Sequence, residues 1–320
     1  MLRMLLLNAK EVHALARPEE LVPVMEEAAR LYEAGDFVMP DRMGVPQGEN
    51  TYLYMPCFTP SVHGTKFLAL FPQNPGRGLA RIQGMMLLGD PETGRTVGLL
   101  DGGALTACRT GAVGAVGILH TTPPQASTLA LIGAGVQGFH QCLFAARVRP
   151  IRTVFVYDPR PDAAAALCRR LEEELGLEAV ACAGAAQAVE RAEIVVTATA
   201  SREPVLPDDR ELVRGRHFIG IGSYKPFMRE FPRAVFQEVR EVLVDVEFAK
   251  EETGDLAVPL EEGWITPGQV RTLGKALSAP LDCSGTTLYK SVGMALFDVL
   301  AADHLLRKAQ ALGAGVSVEW

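Results

Sequence analysis

The chain has 320 residues, of which 48% are hydrophobic and 22% are charged, which is typical of a globular protein long enough for two domains. Its formal net charge of −7 disfavours nucleic acids and anionic membranes as partners. No apolar run is expected to reach the length of a membrane span, and the apolar start is interpreted as a strand rather than a signal peptide. The six cysteines show no CxxC pairing or metal-ligand spacing, so we expect free thiols, no metal and a cytoplasmic location.

The first part of the chain, residues 1–110, predicts a mostly antiparallel α+β domain. A helix is predicted over 18–34, with Pro18 in its first turn and Gly35 just past its end. The turn sequence DPETG at 90–94 predicts a hairpin between the last two β-rich runs. These runs cover residues 51–55, 65–71, 80–88 and 95–100.

The pattern changes over residues 111–286 to alternating strands and helices, which predicts an α/β fold with a doubly wound parallel Rossmann sheet. Six strands are predicted, at 129–132, 153–157, 178–182, 193–198, 217–222 and 240–246. Helices are predicted at 136–147, 161–175 and 184–191. A last helix is predicted from Thr287 to Ala311 and is expected to pack back onto the first domain. That domain would then be discontinuous, made of 1–110 and 287–320.

Residues 128–158 follow the order strand, glycine turn, helix, strand, acid, which is typical of a dinucleotide-binding unit. Gly133 makes the tight turn, Gly135 lets the backbone approach a pyrophosphate, and Gly138 lets the helix pack close to the sheet. The helix N-terminus offers unpaired N–H groups and a partial positive charge to the phosphates. The sequence therefore predicts a dinucleotide cofactor.

The acid at the end of this unit indicates which dinucleotide is bound. Asp158 stands about twenty residues after the last glycine, where an acid accepts hydrogen bonds from the adenosine ribose hydroxyls. A carboxylate there repels a 2′-phosphate, so the sequence favours NAD. The nearby Arg160 leaves NADP open as an alternative.

Three cations stand in segments that could line a substrate pocket. Lys66 alternates with apolar neighbours in HGTKFLAL, and Arg109 begins a run with no other charge in CRTGAVGAVG. Arg42 follows the first predicted helix. Most lysines and arginines lie at the surface, but a buried cation usually faces an anion. Three cations that converge would suit a carboxylate substrate, because arginine makes bidentate contacts with carboxylates.

A series of longer motifs resembles the family of ornithine cyclodeaminase, mu-crystallin (ketimine reductase) and archaeal alanine dehydrogenase. They occur in the family's order and span nearly the whole chain: HGTKF, DGGALTACRTGAVGAVG, LIGAGVQG, EIVVTATASREPVL, IGIGSYKPFMRE, ETGD and TTLYKSVGMALFDVLAA. The resemblance implies a Rossmann domain together with an α+β domain that binds substrate and forms a homodimer.

The resemblance also implies roles for individual residues. It places Arg42, Lys66 and Arg109 at the carboxylate and the reacting centre of an amino-acid-like substrate. Thr197 and Thr199 would lie near the nicotinamide. The positions implied around the dinucleotide are Arg109, Thr110, Gly135, Val136, Gln137, Asp158, Thr197, Val292 and Gly293.

One departure from the family pattern separates its activities. Ornithine cyclodeaminases carry an aspartate in the loop after the fifth Rossmann strand, where it handles the distal amine and a proton. Tyr224 takes that position here, and a phenol with an ordinary pKa of about 10 is a poor base at neutral pH. We therefore expect Tyr224 to line the substrate pocket without acting as that base.

Three functions follow in order of preference. The first is an NAD(P)-dependent reductase or dehydrogenase that acts on the imine of a small carboxylate, such as pyrroline-2-carboxylate or iminopyruvate, with Lys66, Arg42 and Arg109 as the catalytic residues. The second is ornithine cyclodeaminase, which converts L-ornithine to L-proline and ammonia. The third is a non-catalytic protein that binds a small ligand, as mu-crystallin can.

Overall fold

The computed structural model describes residues 3–319. They divide into two compact units: unit 1 comprises residues 3–109 and 294–319, and unit 2 comprises 110–293. The boundary at which the chain returns from unit 2 to unit 1 lies at 293/294 rather than at the expected 286/287, because residues 287–290 belong to the sheet of unit 2. The assignment of substrate binding and dimerisation to the first domain stays a prediction.

The elements are numbered in chain order. The strands are β1 (Arg3–Leu7), β2 (Met43–Gln47), β3 (Asn50–Phe58), β4 (His63–Leu70), β5 (Ile82–Gly89), β6 (Thr96–Asp101), β7 (Thr128–Ile132), β8 (Thr153–Tyr157), β9 (Glu178–Ala181), β10 (Ile194–Thr197), β11 (His217–Gly220), β12 (Val242–Val244), β13 (Val270–Thr272), β14 (Thr287–Lys290) and β15 (Val316–Glu319). The helices are α1 (Ala9–Leu15), α2 (Pro18–Ala34), α3 (Gly102–Thr121), α4 (Val136–Val148), α5 (Pro161–Leu175), α6 (Ala185–Glu190), α7 (Arg210–Val213), α8 (Arg233–Glu238), α9 (Ala249–Glu252), α10 (Gly254–Glu261), α11 (Leu273–Ser278) and α12 (Ala295–Leu312). Two short 3-10 helices cover Asn74–Arg77 and Pro267–Gln269.

Unit 1 is built on a seven-stranded sheet with the order β15-β1-β6-β5-β4-β3-β2. The predicted hairpin is confirmed, because β5 and β6 pair antiparallel, and the four predicted β-rich runs lie in β3 to β6. Helix α2 begins at Pro18 and ends before Gly35, whose φ of 72° is the left-handed conformation that favours glycine. Helix α12 packs against α2 and against β3, β4 and β5. One face of these strands is thereby buried.

Unit 2 is built on an eight-stranded sheet with the order β13-β12-β14-β11-β10-β7-β8-β9, in which all pairings are parallel. The strand order reverses at β7, with β8 and β9 on one side and β10 and β11 on the other. In open parallel sheets the ligand crevice lies at the carboxyl ends of the strands beside such a reversal. The six predicted strands are present as β7 to β12, while β13 and β14 were missed.

The predicted helix over residues 287–311 is wrong in its first part. Residues 287–290 form β14, which pairs with β11 on one side and β12 on the other. Their side chains are all buried, as expected for a strand covered on both faces. Gly293 has a φ of 75° and lies in the loop before α12, so the final helix begins only after it.

Helix α3 corrects a second expectation. Its 20 residues are long and apolar enough to cross a membrane, but 83% of the apolar stretch is buried inside the protein. Such burial is typical of a core helix. In its unit 2 part the helix packs closely, because a Cβ at Gly114 or Gly117 would collide with the side chains of Gln141 or Tyr289.

Candidate functional site

The glycine turn in unit 2 has the geometry of a dinucleotide cradle. Gly133 adopts a φ of 108°, which an L side chain rarely adopts. A Cβ on Gly138 would collide with the Gly133 carbonyl, so this glycine allows α4 to begin tight against the turn. Gly135 is the N-cap of α4, and a Cβ there would meet open space. An anion can therefore approach the N-terminus of α4, where Val136 and Gln137 form the first turn.

Asp158 follows β8 and is buried, with both carboxylate oxygens engaged. Oδ2 accepts a hydrogen bond from the Ala134 N–H at 2.9 Å, and Oδ1 accepts from the Arg160 N–H at 2.9 Å and from its Nε at 3.2 Å. Burial works to raise the pKa of Asp158, but these donors outweigh it and hold the pKa below its usual value. The Arg160 side chain is 74% exposed. Asp158 thus stays ionised, with a largely exposed guanidinium beside it.

Two threonines stand at the carboxyl end of β10, next to the reversal of strand order. Thr197 is fully buried, and no described residue forms a hydrogen bond with its Oγ1. Thr199 donates from its backbone N–H and its hydroxyl to Glu230 Oε1, at 2.7 Å and 2.8 Å. Thr110 is also buried in unit 2, where its carbonyl accepts a hydrogen bond from Gln141 at 2.9 Å.

The loop between β14 and α12 is held by an acid that the sequence analysis missed. Asp245 accepts hydrogen bonds from the Ser291 hydroxyl at 2.7 Å, the Val292 N–H at 3.0 Å and the Gly293 N–H at 2.6 Å. It comes directly after the buried strand β12, and an acid at the carboxyl end of such a strand is a signal that could have found it.

Unit 1 contains a buried cluster of Lys66, Arg109 and Asp298, here called the Asp298 cluster. Lys66 Nζ lies 2.7 Å from Asp298 Oδ2, and Arg109 Nε donates to Asp298 Oδ1 at 2.7 Å. Lys66 and Arg109 therefore already face an anion within the protein, the carboxylate of Asp298. Asp298 was missed, although it is the lone acid of the quoted motif TTLYKSVGMALFDVLAA.

Burial and neighbouring charges tune this cluster. Burial lowers the pKa of Lys66 from its ordinary 10.5 to about 7; Asp298 opposes the shift, while Arg109 and Arg42 add to it. Burial works to raise the pKa of Asp298, but Arg109 and Lys66 hold it below its usual value. Lys66 therefore exchanges a proton near neutral pH, whereas Asp298 stays ionised.

The cluster keeps a donor for a further anion. Arg109 Nη1 is buried, and none of the described residues accepts a hydrogen bond from it. Arg42 is half-buried just before β2, close enough for its charge to act on Lys66. The structure thus brings Lys66 and Arg109 together at Asp298, and the charge of Arg42 acts on Lys66. A carboxylate, with two oxygens, matches a guanidinium presented in this way.

Tyr224 lies in the loop after β11 in unit 2. It is half-buried, and the Lys225 ammonium lies 5.7 Å from the centre of its ring. The same loop is anchored by Ser223, whose hydroxyl donates to the Met228 carbonyl at 2.7 Å. The expected place of Tyr224 in the substrate pocket stays a prediction.

The sequence model of the ornithine cyclodeaminase/mu-crystallin family matches residues 3–312. The chain belongs to this family. A Delta(1)-pyrroline-2-carboxylate reductase of Bacillus cereus is 33% identical over 99% of this chain and 100% of its own length. The expected Rossmann fold with a second α+β unit and the expected family are both confirmed.

Two solved structures of the family are similar over whole chains. One is Delta(1)-pyrroline-2-carboxylate reductase of Thermococcus litoralis in complex with NADH and L-proline, with a TM-score of 0.92 and 29% identity over 98% of this chain and 100% of that one. The other is an archaeal alanine dehydrogenase dimer with bound NAD, with a TM-score of 0.91 and 27% identity over the whole of both chains.

Proposed function

We propose that this protein is an NAD(P)-dependent reductase acting on the imine of a small amino-acid-like carboxylate, with Delta(1)-pyrroline-2-carboxylate as the leading substrate. The observation that carries the proposal is the Asp298 cluster, because it combines an ammonium that titrates near neutral pH with an uncommitted guanidinium donor. The B. cereus relative and the T. litoralis structure support the same reaction.

The residues of unit 2 fit NAD. The open N-terminus of α4 would hold the pyrophosphate, and the ionised Asp158 would hold the adenosine ribose. When NADH is bound, the chemistry it supplies is hydride donation to the imine carbon. Thr197, Thr199, Val292 and Gly293 are proposed to face the nicotinamide end. The exposed Arg160 side chain leaves room for the 2′-phosphate of NADP.

Lys66 is proposed to supply the proton. The reaction adds a hydride to the imine carbon and a proton to the imine nitrogen, so the C=N bond becomes a CH–NH bond. An ammonium with a pKa of about 7 is a strong enough acid to give that proton near neutral pH. Asp298 fixes the direction of the ammonium, and Arg109 with Arg42 binds the substrate carboxylate.

The first experiment is an assay of the purified chain that follows NADH and NADPH at 340 nm. The substrates are Delta(1)-pyrroline-2-carboxylate, its six-membered homologue, and pyruvate with ammonia. We expect the cyclic imine to be reduced to the amino acid. If NADH or NADPH were consumed only with pyruvate and ammonia, and not with the cyclic imines, the enzyme would be an alanine dehydrogenase instead. No consumption with any of them would overturn the proposal.

A second assay tests the alternative of ornithine cyclodeaminase. The chain is incubated with L-ornithine and catalytic NAD, without added reductant, and proline and ammonia are measured. Because Tyr224 replaces the acid that such an enzyme uses, we expect no proline. Proline formation would reverse the ranking of the two functions.

We also propose that the protein is a cytoplasmic homodimer. A row of apolar side chains crosses the face of the unit 1 sheet opposite to α12: Met43, Tyr54, Phe67 and Met85 stand opposite one another on β2 to β5. Met43, Tyr54 and Met85 are 56%, 39% and 49% exposed. A second copy would cover this row, and the archaeal alanine dehydrogenase is a dimer. The six free cysteines support a reducing compartment.

The mass in solution tests the homodimer. We expect light scattering to give twice the chain mass of 34.4 kDa, and Tyr54→Glu to shift it towards the monomer because a carboxylate would be buried in the interface. A monomeric wild-type chain would overturn this proposal without touching the reaction.

A further inference from the structure

Glu230 connects two loops at the carboxyl edge of the unit 2 sheet. Its Oε1 accepts hydrogen bonds from the N–H and the hydroxyl of Thr199, in the loop after β10. Its Oε2 accepts from the N–H groups of Gly222 at 2.8 Å and Ser223 at 3.1 Å, in the loop after β11. The loops are pressed together, because a Cβ on Gly222 would collide with the backbone of Thr199. One carboxylate therefore holds both loops.

This arrangement needs a carboxylate rather than an amide. Each oxygen of Glu230 serves one loop and accepts two donors there. A glutamine of the same shape has one acceptor oxygen, and its NH2 group would point at N–H donors on the other side. Only one of the two loops could then keep its hydrogen bonds.

Asp255 and Lys290 contact Glu230, and these three residues are here called the Glu230 cluster. Asp255 Oδ1 accepts hydrogen bonds from the backbone N–H groups of Glu230 at 2.6 Å and Phe231 at 3.1 Å. Lys290 Nζ lies 3.2 Å from Asp255 Oδ2 and 3.7 Å from Glu230 Oε2. All three side chains are buried. Burial raises the pKa of Glu230, and Lys290 opposes that shift.

The two loops occupy a functional place in unit 2. Strands β10 and β11 end on the side of the strand-order reversal where the nicotinamide end of a dinucleotide binds. The loop after β10 carries Thr199, and the loop after β11 carries Tyr224. We propose that Glu230 is a positioning residue, which fixes these two loops relative to each other so that they orient the nicotinamide ring for hydride transfer. The inference rests on the proposed reductase function.

The test compares two glutamate-to-glutamine variants of the same sheet. Glu230→Gln breaks one loop contact, while Glu193→Gln removes the same charge at the amino edge. There Glu193 accepts from Ser127 and Thr128 through Oε2 alone, which a glutamine oxygen can replace. We expect Glu230→Gln to lower kcat by about 100-fold, with the Kd of NADH little changed, because a small misplacement of reacting groups has an effect of that size. Glu193→Gln should keep the wild-type kcat.

A milder pair covers the case in which Glu230→Gln does not fold. Thr199→Val removes one donor to Glu230, whereas Thr199→Ser keeps the hydroxyl. We expect Thr199→Val to lower kcat more than Thr199→Ser does, with equal melting temperatures and with the Kd of NADH little changed in both variants. Equal kcat values for the two variants, or a Glu230→Gln variant with the wild-type kcat, would overturn the proposal.

NADH fluorescence separates this inference from the proposed function. If the wild-type chain bound NADH but reduced no imine, the reductase proposal would fail on its own. The emission of bound NADH should still shift towards that of free NADH in Glu230→Gln, because its ring would be held less firmly. Identical emission in the variant and the wild type, or no NADH binding by the wild type, would overturn the role of Glu230.

Discussion

The two units each bury a cluster of three charged side chains, and the clusters differ in the sign of their excess charge. In the Asp298 cluster two cations face one carboxylate. In the Glu230 cluster two carboxylates face one ammonium. Both excesses are buried, where an unmatched charge is costly.

Burial shifts a pKa towards the neutral form in both clusters, that of Lys66 downwards and that of Glu230 upwards, but the hydrogen-bonding groups around the excess charge differ. The surplus negative charge of the Glu230 cluster is taken up by six N–H and O–H donors: the N–H and hydroxyl of Thr199 and the N–H groups of Gly222, Ser223, Glu230 and Phe231. In the Asp298 cluster the excess charge is positive, and the lowered pKa of Lys66 makes it easier for that lysine to become neutral. No described residue accepts a hydrogen bond from Arg109 Nη1. The comparison teaches that a buried charge matched by backbone donors fixes structure, whereas one left unmatched is available to a ligand.

The largest effect should come from Lys66→Met. It removes the proposed proton donor while Arg109 still pairs with Asp298, so kcat should fall about 1,000-fold or more while the fold persists. Steady-state imine reduction at saturating NADH measures this, and Lys275→Met, on an exposed lysine, is the control. A kcat near that of the wild type would remove Lys66 from the mechanism.

Lys290→Met makes the equivalent change in the Glu230 cluster and should act on stability. The change leaves two buried carboxylates without their cation, so the free energy of unfolding should fall by about 3–5 kcal/mol. Denaturant unfolding of both variants measures this difference, since we expect Lys66→Met to lower the free energy of unfolding by less than Lys290→Met does. Equal losses would show that the two clusters serve the same purpose.

The pH dependence sharpens the role of the Asp298 cluster. Reduction needs protonated Lys66, whose pKa burial lowers to about 7. The kcat/KM of reduction should therefore be constant below that pH and fall about tenfold per unit above it. The reverse reaction, oxidation of the amino acid, needs Lys66 as a neutral amine that can accept the proton. The rate of oxidation should therefore rise as the pH increases through about 7. A reduction profile without a limb near pH 7 would contradict this assignment.

The smallest effect should come from Arg160→Ala. The side chain is largely exposed, and an exposed ion pair contributes about 0–1 kcal/mol. We expect the variant to lose up to about fivefold in kcat/KM with NADPH and nothing with NADH. Steady-state assays with both cofactors measure this ratio, and an equal loss with both would mean that Arg160 does not contact a 2′-phosphate.

The sequence was most informative where the determining pattern is local. The glycine turn from Gly133 to Gly138 and the apolar runs around it predicted β7, α4 and β8, because strand, turn and helix signals lie within a few residues of one another. The short strand β14 was read as helix, since only four residues, 291–294, separate it from α12. Its place is decided by β11 and β12, which flank it in the sheet.

The charged clusters were the least predictable part of the site. Lys66 and Arg109 were singled out because cations within apolar sequence need an anion. Their partner was not found, since Arg109 and Asp298 are 189 positions apart and no local pattern joins them. Glu230 and Asp255 stood in quoted motifs, yet their role depends on donors from separate loops.

The position of β14 has a consequence for synthesis on the ribosome. This strand comes last in unit 2 but lies in the interior of its sheet, where it joins β12 and β13 to the other five strands. Until residue 290 has left the exit tunnel, β11 and β12 each present an open edge, and such edges invite aggregation. The sheet therefore cannot close until β14 has been made, and a product truncated before β14 would leave both edges exposed.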